Sequence, residues 1–570
     1  MKPAKSFVEL LSPGRALTFA NVVEGAEGLI VCDLTRAIAA KPNKPAISLA
    51  VVCRDGPRMQ QLARALDFFA PDFSVVQFPA WDCQPYDRVS PHGGILAQRL
   101  TTLARLARLE GSDRPLIVLT TVNAILQRVP AREAVAAQAL SVAPGNVVPM
   151  DSIVAWLEHN GYTRSSTVRE TGEYAVRGGI LDLFPAGLEQ PVRLDFFGDA
   201  LESIRSFDAE TQRTLLDMRS LDLVPISEFQ LVSETIRRFR MGYVAEFGAP
   251  ARDDQLYQAV SEGRRHPGME HWLPLFQERM EVLFDYLGEA PIAIEWQGED
   301  AARERLKQIT DYYEARREAL DHPASGPTYK PLPPDRLYLS EVEWQKRLGE
   351  SALARFTAFA VPEGSNVFDV GVRGGRNFGP ERNDNSVNVF EAVVGHVHAL
   401  QAQRKKVVIA LWSEGSRDRM ASMLADHKLA KVTSVNAWRT VQATPRNETM
   451  LAVLGMESGF ETDELAVISE QDILGDRLVR PRKASRRLDN FISEVTSLTT
   501  GDIVVHVEHG IGRFVGLQTL QVSGAPHDCL ELHYAGETKL FLPVENIELL
   551  SRYGSAQTIK LDLGLVGAVT

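Results

Sequence analysis

The chain has few cysteines, and its histidines do not follow the spacing of common zinc motifs. Its 570 residues include four widely separated cysteines, with no C-x-x-C pair: Cys32, Cys53, Cys83 and Cys529. Isolated cysteines of this kind are typical of buried thiols in a reducing compartment and exclude a disulfide framework. His506 and His509 lie on a predicted strand at a spacing that points them to opposite faces, so we expect no metal there.

Long hydrophobic runs are also missing. No stretch of about 18 apolar residues occurs, and Met1–Leu17 lacks the apolar core of a signal peptide. We therefore expect no membrane partner and a cytoplasmic location. The net charge of −12 argues against a chain that coats nucleic acid along its whole length. With 44% hydrophobic residues, the chain can form roughly four domains with cores of their own.

A complete phosphate-binding loop is absent as well. A P-loop ends in a Gly-Lys dipeptide, and this sequence contains none. The loop after the first apolar strand keeps Gly25 and Gly28 but carries Glu24 and Glu27, whose charges would repel phosphate. The pair Asp463–Glu464 precedes an apolar strand, whereas the acid of a Walker B motif follows one. We therefore expect an ordinary strand-to-helix turn, no bound nucleotide and no catalytic residue.

The segment Phe78–Leu100 is rich in aromatic residues and proline and allows two interpretations. An enzyme would combine Asp82, Asp87 and His92. The simpler interpretation is a rigid connection between a strand and a helix, with its aromatic side chains buried. The simpler one is favoured because no nucleophile or phosphate loop accompanies the acids.

Changes in residue pattern divide the chain into segments. Alternating buried strands and amphipathic helices indicate an α/β fold, and short strands separated by glycine turns indicate a β-rich unit. The predicted segments are an α/β domain (1–140), a β-rich domain (141–226), a second helical part of the first domain (227–350), a further α/β domain of unknown role (355–475), a basic linker (476–500), an all-β module (501–554) and a tail (555–570). In the further α/β domain, strands are predicted at Lys406–Leu411 and Leu465–Ser469.

The all-β module is short and has no catalytic constellation, which is more typical of a docking domain than of an enzyme. Its predicted strands are Ile503–His506, Arg513–Gln521, Cys529–Tyr534 and Lys539–Pro543. In the second of these, alternation predicts that Val515 and Leu517 point inward and that Phe514 and Leu520 point toward the rim or solvent.

The linker before this module is basic. It contains six closely spaced cationic residues: Arg477, Arg480, Arg482, Lys483, Arg486 and Arg487. Such a run could contact DNA, or it could be a solvated tether, and the sequence leaves both interpretations open.

Two stretches resemble a known family. Arg169–Thr214, which contains GEYAVRGGILDLFPAG and PVRLDFFGDALESIRSFD, resembles the β-rich domain of UvrB and of the bacterial transcription-repair coupling factors (Mfd). Gly501–Gly554, which begins GDIVVHVEHGIGRF, resembles the RNA-polymerase-interacting domain that those factors share with CarD-type regulators. The resemblance covers the whole chain and is weakest over residues 355–475.

The resemblance implies a fold and a set of site residues. The implied fold is a multidomain α/β protein with a degenerate P-loop, helicase-like UvrB-type domain, an inserted α+β domain, a further α/β domain and a C-terminal SH3-like or Tudor-like all-β barrel. The positions that match the family's UvrA contacts are Arg177, Arg193 and Phe197. The positions that match its contacts with the RNA polymerase β subunit are Arg513, Phe514 and Leu520.

The residues themselves leave an alternative for the two arginines. Arg177 and Arg193 could form solvated ion pairs with Asp182 or Asp195 and take no part in partner binding. If they bind UvrA, charge reversal at both is expected to abolish binding and to leave the melting temperature nearly unchanged.

The function implied by the resemblance is transcription-coupled DNA repair, in which the protein docks on stalled RNA polymerase and recruits UvrA. The family also has an ATP- and Mg²⁺-dependent motor that translocates on DNA, and a domain that masks the UvrA surface. This sequence contains neither, so we expect no cofactor, no enzymatic activity of this chain alone and constitutive UvrA binding. Two alternatives stay open: a CarD-like regulator that binds polymerase only, and a UvrB-like DNA-dependent ATPase.

Overall fold

A computed structural model describes residues 9–109, 114–252, 254–321, 329–384, 386–429, 431–475, 501, 503–506, 510–522, 525–534, 538–543 and 550–552. The chain forms two compact units, residues 1–476 and residues 477–570. The basic linker and the tail fall outside the described residues. Within those ranges, every helix is too short or too polar to cross a lipid bilayer.

The first part of the chain alternates strands and helices, as predicted. Its elements are β1 (Ala16–Ala20), α1 (Glu27–Ala39), β2 (Leu49–Cys53), α2 (Gly56–Phe69), β3 (Ser74–Phe78), α3 (Gly93–Ala107), β4 (Leu116–Thr121), α4 (Val122–Ile125), β5 (Arg128–Pro130) and α5 (Arg132–Gln138). Alternate residues of β2 belong to two different hydrophobic clusters, so both faces of this strand are buried. Helix α2 begins at a cap, where the Asp55 carboxylate accepts a hydrogen bond from the Arg58 backbone N–H.

The next part is a mostly antiparallel sheet. Its elements are β6 (Leu140–Val142), α6 (Met150–His159), β7 (Thr163–Arg164), β8 (Glu173–Arg177), β9 (Ile180–Leu183), β10 (Val192–Phe197), β11 (Ala200–Phe207), β12 (Thr214–Met218) and β13 (Leu221–Leu223). Six strands form one sheet in the order β12-β11-β10-β9-β8-β7, and β6 pairs with β13. One face of the sheet forms a hydrophobic cluster with Ile153 and Leu157 of α6.

Helices dominate the following part. Its elements are α7 (Ser233–Phe247), α8 (Gln255–Ser261), a 3₁₀ helix (Met269–Trp272), α9 (Leu273–Phe276), β14 (Met280–Val282), α10 (Leu283–Leu287), β15 (Ile292–Ile294), α11 (Gly298–Asp321), α12 (Pro334–Leu337) and α13 (Glu341–Glu350). Ser340 and Glu343 form a capping box that starts α13. Stacked rings of Phe229, Phe239 and Phe276 lie in the core of this part.

A second α/β part follows. Its elements are β16 (Leu353–Phe356), β17 (Val367–Asp369), β18 (Arg373–Gly374), α14 (Gly379–Asn383), α15 (Val389–Ala402), β19 (Lys406–Leu411), α16 (Glu414–Asp426), β20 (Val432–Val435), α17 (Trp438–Ala443), β21 (Thr449–Val453), β22 (Phe460–Glu461), β23 (Leu465–Ser469) and α18 (Glu470–Leu474). Strands β19 and β23 have the bounds that the sequence predicts. They belong to a six-stranded sheet in the order β18-β22-β23-β19-β21-β20.

A seven-stranded parallel sheet draws on three of these parts. Its order is β17-β1-β16-β15-β2-β4-β3. Strands β16 and β17 complete it, so the boundary predicted at residue 355 falls inside a strand of this sheet. One hydrophobic cluster joins α1 and α2 to the six-stranded α/β sheet, and it includes Val31, Leu66, Met450 and Val467. The two α/β parts therefore share a core.

The second unit contains an antiparallel sheet. Its strands are β24 (Ile503–His506), β25 (Gly510–Val522), β26 (Ala525–His533), β27 (Lys539–Pro543) and β28 (Leu550–Arg552), in the order β27-β26-β25-β24-β28. Strands β24 and β27 have the predicted bounds, whereas β25 and β26 are longer than predicted and form one long hairpin. The chain has the mixed α/β, multidomain architecture that its sequence predicts.

Candidate partner-binding sites

Strand β10 turns alternate residues to opposite faces of its sheet, as the sequence predicts. Val192 and Leu194 are fully buried in the domain core. A register shift between Asp195 and Phe196 interrupts the alternation near the end of the strand. Beyond the shift, the Phe197 side chain is 77% exposed. A large aromatic ring at such a position is the kind of side chain that anchors protein interfaces.

Arg193 is not a free surface cation. Its Nε and Nη2 donate to the two carboxylate oxygens of Asp182 at 2.6 and 2.9 Å, and its guanidinium lies 4.9 Å from the centroid of the Phe207 ring. This hydrogen bonding raises the pKa of Arg193. Because the Asp182 side chain is 2% exposed, loss of Arg193 would remove both of these hydrogen bonds and the close cation from a buried carboxylate. Arg193 therefore forms an ion pair with Asp182, as the alternative suggested, but with a buried carboxylate and not as a solvated pair. Charge reversal at Arg193 is expected to lower stability, and its role in UvrA binding stays a prediction.

Arg177 is more open, with a side chain that is 48% exposed. Its Nη2 donates to the carbonyl oxygen of Ser166 at 2.6 Å and to Oγ1 of Thr167 at 3.3 Å. Its Nη1 lies 4.0 Å from the Asp182 carboxylate, which is a weak ion pair. The hydrogen bonds orient the guanidinium and leave part of it accessible to a partner carboxylate.

Strand register brings Arg177 and Phe197 to the same end of the sheet. Arg177 pairs with Ile180 across one hairpin, and Ile180 pairs with Asp195 on the next strand. An open groove of about 510 Å³ lies on the outer face there. Its lining includes Asp195, Glu202, Arg205 and Asp217, so carboxylates outnumber cations. This end of the domain therefore presents an aromatic ring and an arginine beside an acidic groove.

In the second unit, Phe514 belongs to the core and not to the surface. It is 5% exposed and shares a hydrophobic cluster with Val504 and Leu532. A register shift between Phe514 and Gly516 reverses the alternation assumed from the sequence, and Val515 is only half-buried. The prediction that Phe514 points toward the rim is therefore wrong, and its contact with polymerase stays a prediction that this burial does not favour.

The other two residues of the predicted polymerase-binding site, Arg513 and Leu520, also lie on β25. Arg513 is exposed and pairs with His533 across the hairpin. Leu520 lies opposite His527, and its side chain falls outside the part of the structure that is described. The side chain of His506, and all of residues 507–509, also fall outside that part.

The turn between β1 and α1 holds a cluster of charges, of which only Glu24 and Glu27 are evident from the sequence. Gly25 adopts a positive φ in this turn, and Arg58 reaches into it from α2. Arg58 also pairs with Glu295, which follows the buried strand Ile292–Ile294. An acid directly after an apolar strand is the Walker B pattern. Applied to every strand rather than to Asp463–Glu464 alone, that pattern would have found Glu295.

The segment between β3 and α3 forms local hydrogen bonds. The Asp82 carboxylate accepts from the backbone N–H of His92 at 2.9 Å, and the Nδ1 of His92 accepts from the N–H of Gly94 at 3.1 Å, which caps α3. Trp81 and Tyr86 are buried. These contacts are those of a rigid connection between the strand and the helix. Among the described residues, no group of three or more His, Cys, Asp or Glu side chains could hold a metal ion.

Comparison with known protein families assigns three parts of the chain. Residues 140–229 match the UvrB interaction domain, residues 400–473 match the MFD D3 domain, and residues 498–554 match the CarD-like/TRCF RID domain. Two of these matches include the regions that carry the candidate sites, and the third includes the α/β region to which the sequence assigned no role.

Curated relatives extend the similarity over nearly the whole chain. The transcription-repair-coupling factors of Haemophilus influenzae and Escherichia coli are each 31% identical to it, over 94% and 95% of its length. The factor of Bacillus subtilis is 26% identical over 94%. The chain spans about half the length of these relatives, namely 45%, 46% and 45%. Over nearly its whole length, the chain is therefore similar to the N-terminal portion of the transcription-repair-coupling factors.

Proposed function

We propose that this chain connects RNA polymerase to nucleotide-excision repair. In this proposal, residues 140–229 bind UvrA and residues 501–554 bind the β subunit of RNA polymerase. The domain matches and the name of the relatives, which couple transcription to repair, support it. The observation that carries the UvrA half is the 77% exposed Phe197 ring, at the same end of an open sheet as the half-exposed Arg177.

The two side chains supply different parts of an interface. A phenylalanine ring buries about 150–250 Å² when it enters a partner pocket, and this apolar burial supplies most of the affinity. An arginine that is already oriented can form a two-pronged contact with a carboxylate, which fixes the orientation of the partner. Arg193 acts indirectly, because its ion pair with Asp182 holds the outer face of the sheet in place.

Binding of UvrA to variants of the full chain tests this half of the proposal. We expect Phe197→Ala and Arg177→Glu each to weaken binding by about tenfold or more, with unchanged melting temperatures. Leu216→Ala is the matched control, because Leu216 is a similarly exposed apolar residue on the edge strand β12. Wild-type affinity of the Phe197→Ala variant would contradict the assignment of the site.

The polymerase half uses an open strand edge. Residues 516–522 pair with β26, and among the described strands none pairs with their other side. An edge of this kind can accept a strand from a partner through backbone hydrogen bonds. We propose Arg513 and Leu520 as the side-chain contacts on this strand, without Phe514.

The test is binding of the polymerase β subunit to the full chain and to its Leu520→Glu variant. We expect a loss of about tenfold or more in affinity, because a carboxylate would replace an apolar contact. Phe541→Ala on β27 is the control, since it removes an exposed ring from a different strand. Equal binding by the Leu520→Glu variant and the wild type would place the contact elsewhere.

The same proposal extends to the fold of the second unit, the origin of the first domain and the cellular location of the chain. The five antiparallel strands of the second unit support an SH3-like or Tudor-like barrel. The parallel sheet, with its strand–turn–helix start, supports descent of the first domain from a P-loop, helicase-like domain. A cytoplasmic location is supported by the proposed partner UvrA and by three buried free cysteines, Cys32, Cys53 and Cys529.

A further inference from the structure

The carboxyl edge of the parallel sheet, where P-loop proteins bind phosphate, is filled by the chain itself. Arg58 lies at the centre, with its Nη2 2.6 Å from a carboxylate oxygen of Glu27 and its Nε 2.6 Å from one of Glu295. Its Nη1 lies 2.9 Å from Glu24. The Arg58 side chain is 13% exposed. One guanidinium thus occupies this edge among three carboxylates.

These residues do not fit a nucleotide. The ATP and Mg²⁺ that a UvrB-like ATPase would use need an electropositive cradle at the helix N-terminus, and here Glu27 occupies the first turn of α1. The other oxygen of Glu295 accepts a hydrogen bond from the backbone N–H of Arg54 at 3.0 Å, so this carboxylate is held within the protein. A triphosphate would meet an excess of negative charge.

The second α/β part covers the same edge. The carbonyl oxygen of Ser458 lies so close to Gly25 that a Cβ at Gly25 would overlap it. Leu454 and Met456 line one cavity together with Arg58. The space that remains is about 30 Å³, which is room for roughly two water molecules and not for a phosphate chain.

The loop that covers this edge, residues 454–458, is held in place by hydrogen bonds within the second α/β part. The backbone N–H of Gly459 donates to the buried Asp472 carboxylate at 2.7 Å, and the Ser469 hydroxyl donates to the carbonyl oxygen of Glu457 at 2.9 Å. A Cβ at Gly459 would also overlap the Val467 carbonyl, so only glycine allows this approach. The loop therefore reaches the first domain in a conformation that its own domain already fixes.

The contact continues away from the charged cluster as an apolar interface. The rings of Phe69 and Trp438 meet edge to face, with centroids 5.3 Å apart. Val31 of α1 and Leu454 of the loop belong to the same buried cluster. Opening this contact would expose a continuous apolar surface, which makes the closed arrangement favourable.

We propose that residues 454–458, within the region that matches the MFD D3 domain, are the built-in occupant of the former nucleotide site. With Arg58 they close the carboxyl edge of the parallel sheet, exclude nucleotides from it and fix the two α/β domains to each other. This gives residues 400–473 a function, which is to keep the UvrB-like domain closed without a ligand.

Accessibility of Cys53 tests this proposal in the full chain. Cys53 is buried and lines the cavity that the loop closes. Met456→Asp places a fourth carboxylate against Glu24, Glu27 and Glu295, so it should open the contact. We expect alkylation of Cys53, measured by mass spectrometry, to accelerate about tenfold or more, with Cys83 as the internal reference.

Val453→Asp is the matched control, because it introduces the same carboxylate three residues earlier at a partly exposed position. Its Cys53 should react as slowly as in the wild type. Equal Cys53 rates in the folded Met456→Asp variant and the wild type would overturn the proposal.

A second measurement decides the question if the Met456→Asp variant does not fold. In the wild-type chain, hydrogen exchange should be slow in both residues 21–28 and residues 454–458, and a fluorescent ATP analogue should not bind to the first domain. Fast exchange at residues 21–28, or binding of the analogue that protects these residues, would overturn the proposal.

Discussion

Two groups of arginine and carboxylate side chains, on different sheets of the first unit, differ in what covers them. Around Arg177, the sheet face is open, the guanidinium is half-exposed and a large ring stands beside it in solvent. Around Arg58, the guanidinium is surrounded by three carboxylates and covered by a loop that includes Ser458. The same types of side chain therefore form a surface for a partner in one place and an internal contact in the other.

The difference shows that the burial of the neighbouring carboxylate decides whether an arginine stabilises the fold or is available to a partner. Asp182 is buried, and it holds Arg193 firmly while Arg177 remains largely open. Glu27 and Glu295 are both nearly buried, and they hold Arg58. Arg193, which hydrogen-bonds a buried carboxylate at short distance, stabilises the fold, whereas Arg177, with only a weak ion pair to the same carboxylate, can bind a partner.

The largest effect is expected at the closed cluster. Arg58→Ala leaves three carboxylates close together without their cation, so we predict a loss of about 3–5 kcal/mol in the free energy of unfolding, measured with urea. The control is Arg54→Ala, because Arg54 pairs with Asp55 at the surface at 3.4 Å and should contribute about 1 kcal/mol or less. Similar losses in the two variants would mean that the cluster around Arg58 is not a closed one.

A smaller effect on the free energy of unfolding is expected to distinguish Arg193 from Arg177 in the β-rich domain. We predict that Arg193→Ala lowers the free energy of unfolding by about 2–3 kcal/mol, somewhat less than for a fully unpaired buried charge, because Asp182 keeps only its weak ion pair with Arg177. Arg177→Ala should change it by less than about 1 kcal/mol. Urea denaturation of the two variants side by side measures the difference, and a larger loss for Arg177→Ala would reverse the roles assigned here.

The smallest predicted effect is on the pH dependence of the free energy of unfolding. Burial raises the pKa of Glu27 from 4.5 to about 7, with Glu295 and Glu24 adding to the rise and Arg58 opposing it. Between these two values the folded chain binds more protons than the unfolded chain, so stability falls as the pH rises from about 4.5 to about 7 and is level above that. We predict that Glu27→Gln removes about 1–2 kcal/mol of this fall.

Urea unfolding at a series of pH values from 4.5 to 8 measures that prediction. Asp33→Asn provides a matched control on the same helix, since Asp33 is also a partly buried carboxyl with a raised pKa but lies outside the Arg58 cluster. If the free energy of unfolding changes with pH in the same way for the Glu27→Gln variant and the wild type, then the pKa of Glu27 is not raised in the folded chain.

Elements with a clear apolar run were predictable from sequence. Lys406–Leu411 and Leu465–Ser469 are continuous buried strands that pair with each other in parallel. Ile503–His506 and Lys539–Pro543 also have the predicted bounds. Each of these strands can be recognised without information about its neighbours.

Features that depend on two distant segments were not predictable. Phe514 was assigned to the wrong face because a register shift against β26 follows it, and alternation within one strand does not reveal such a shift. Arg58 and Glu295 are far apart in the chain, and only the parallel order of β2 and β15 brings them together. Whether Arg177 or Arg193 pairs with Asp182 also depended on strand register.

Hydrogen exchange of the full chain, with and without UvrA, is the measurement that compares the two regions most directly. We predict that UvrA slows exchange at the hairpin ends around Arg177 and Phe197, and that residues 21–28 and 454–458 exchange slowly and equally in both states. Faster exchange at residues 21–28 in the presence of UvrA, or no change around Phe197, would contradict the assignment of one open and one closed region.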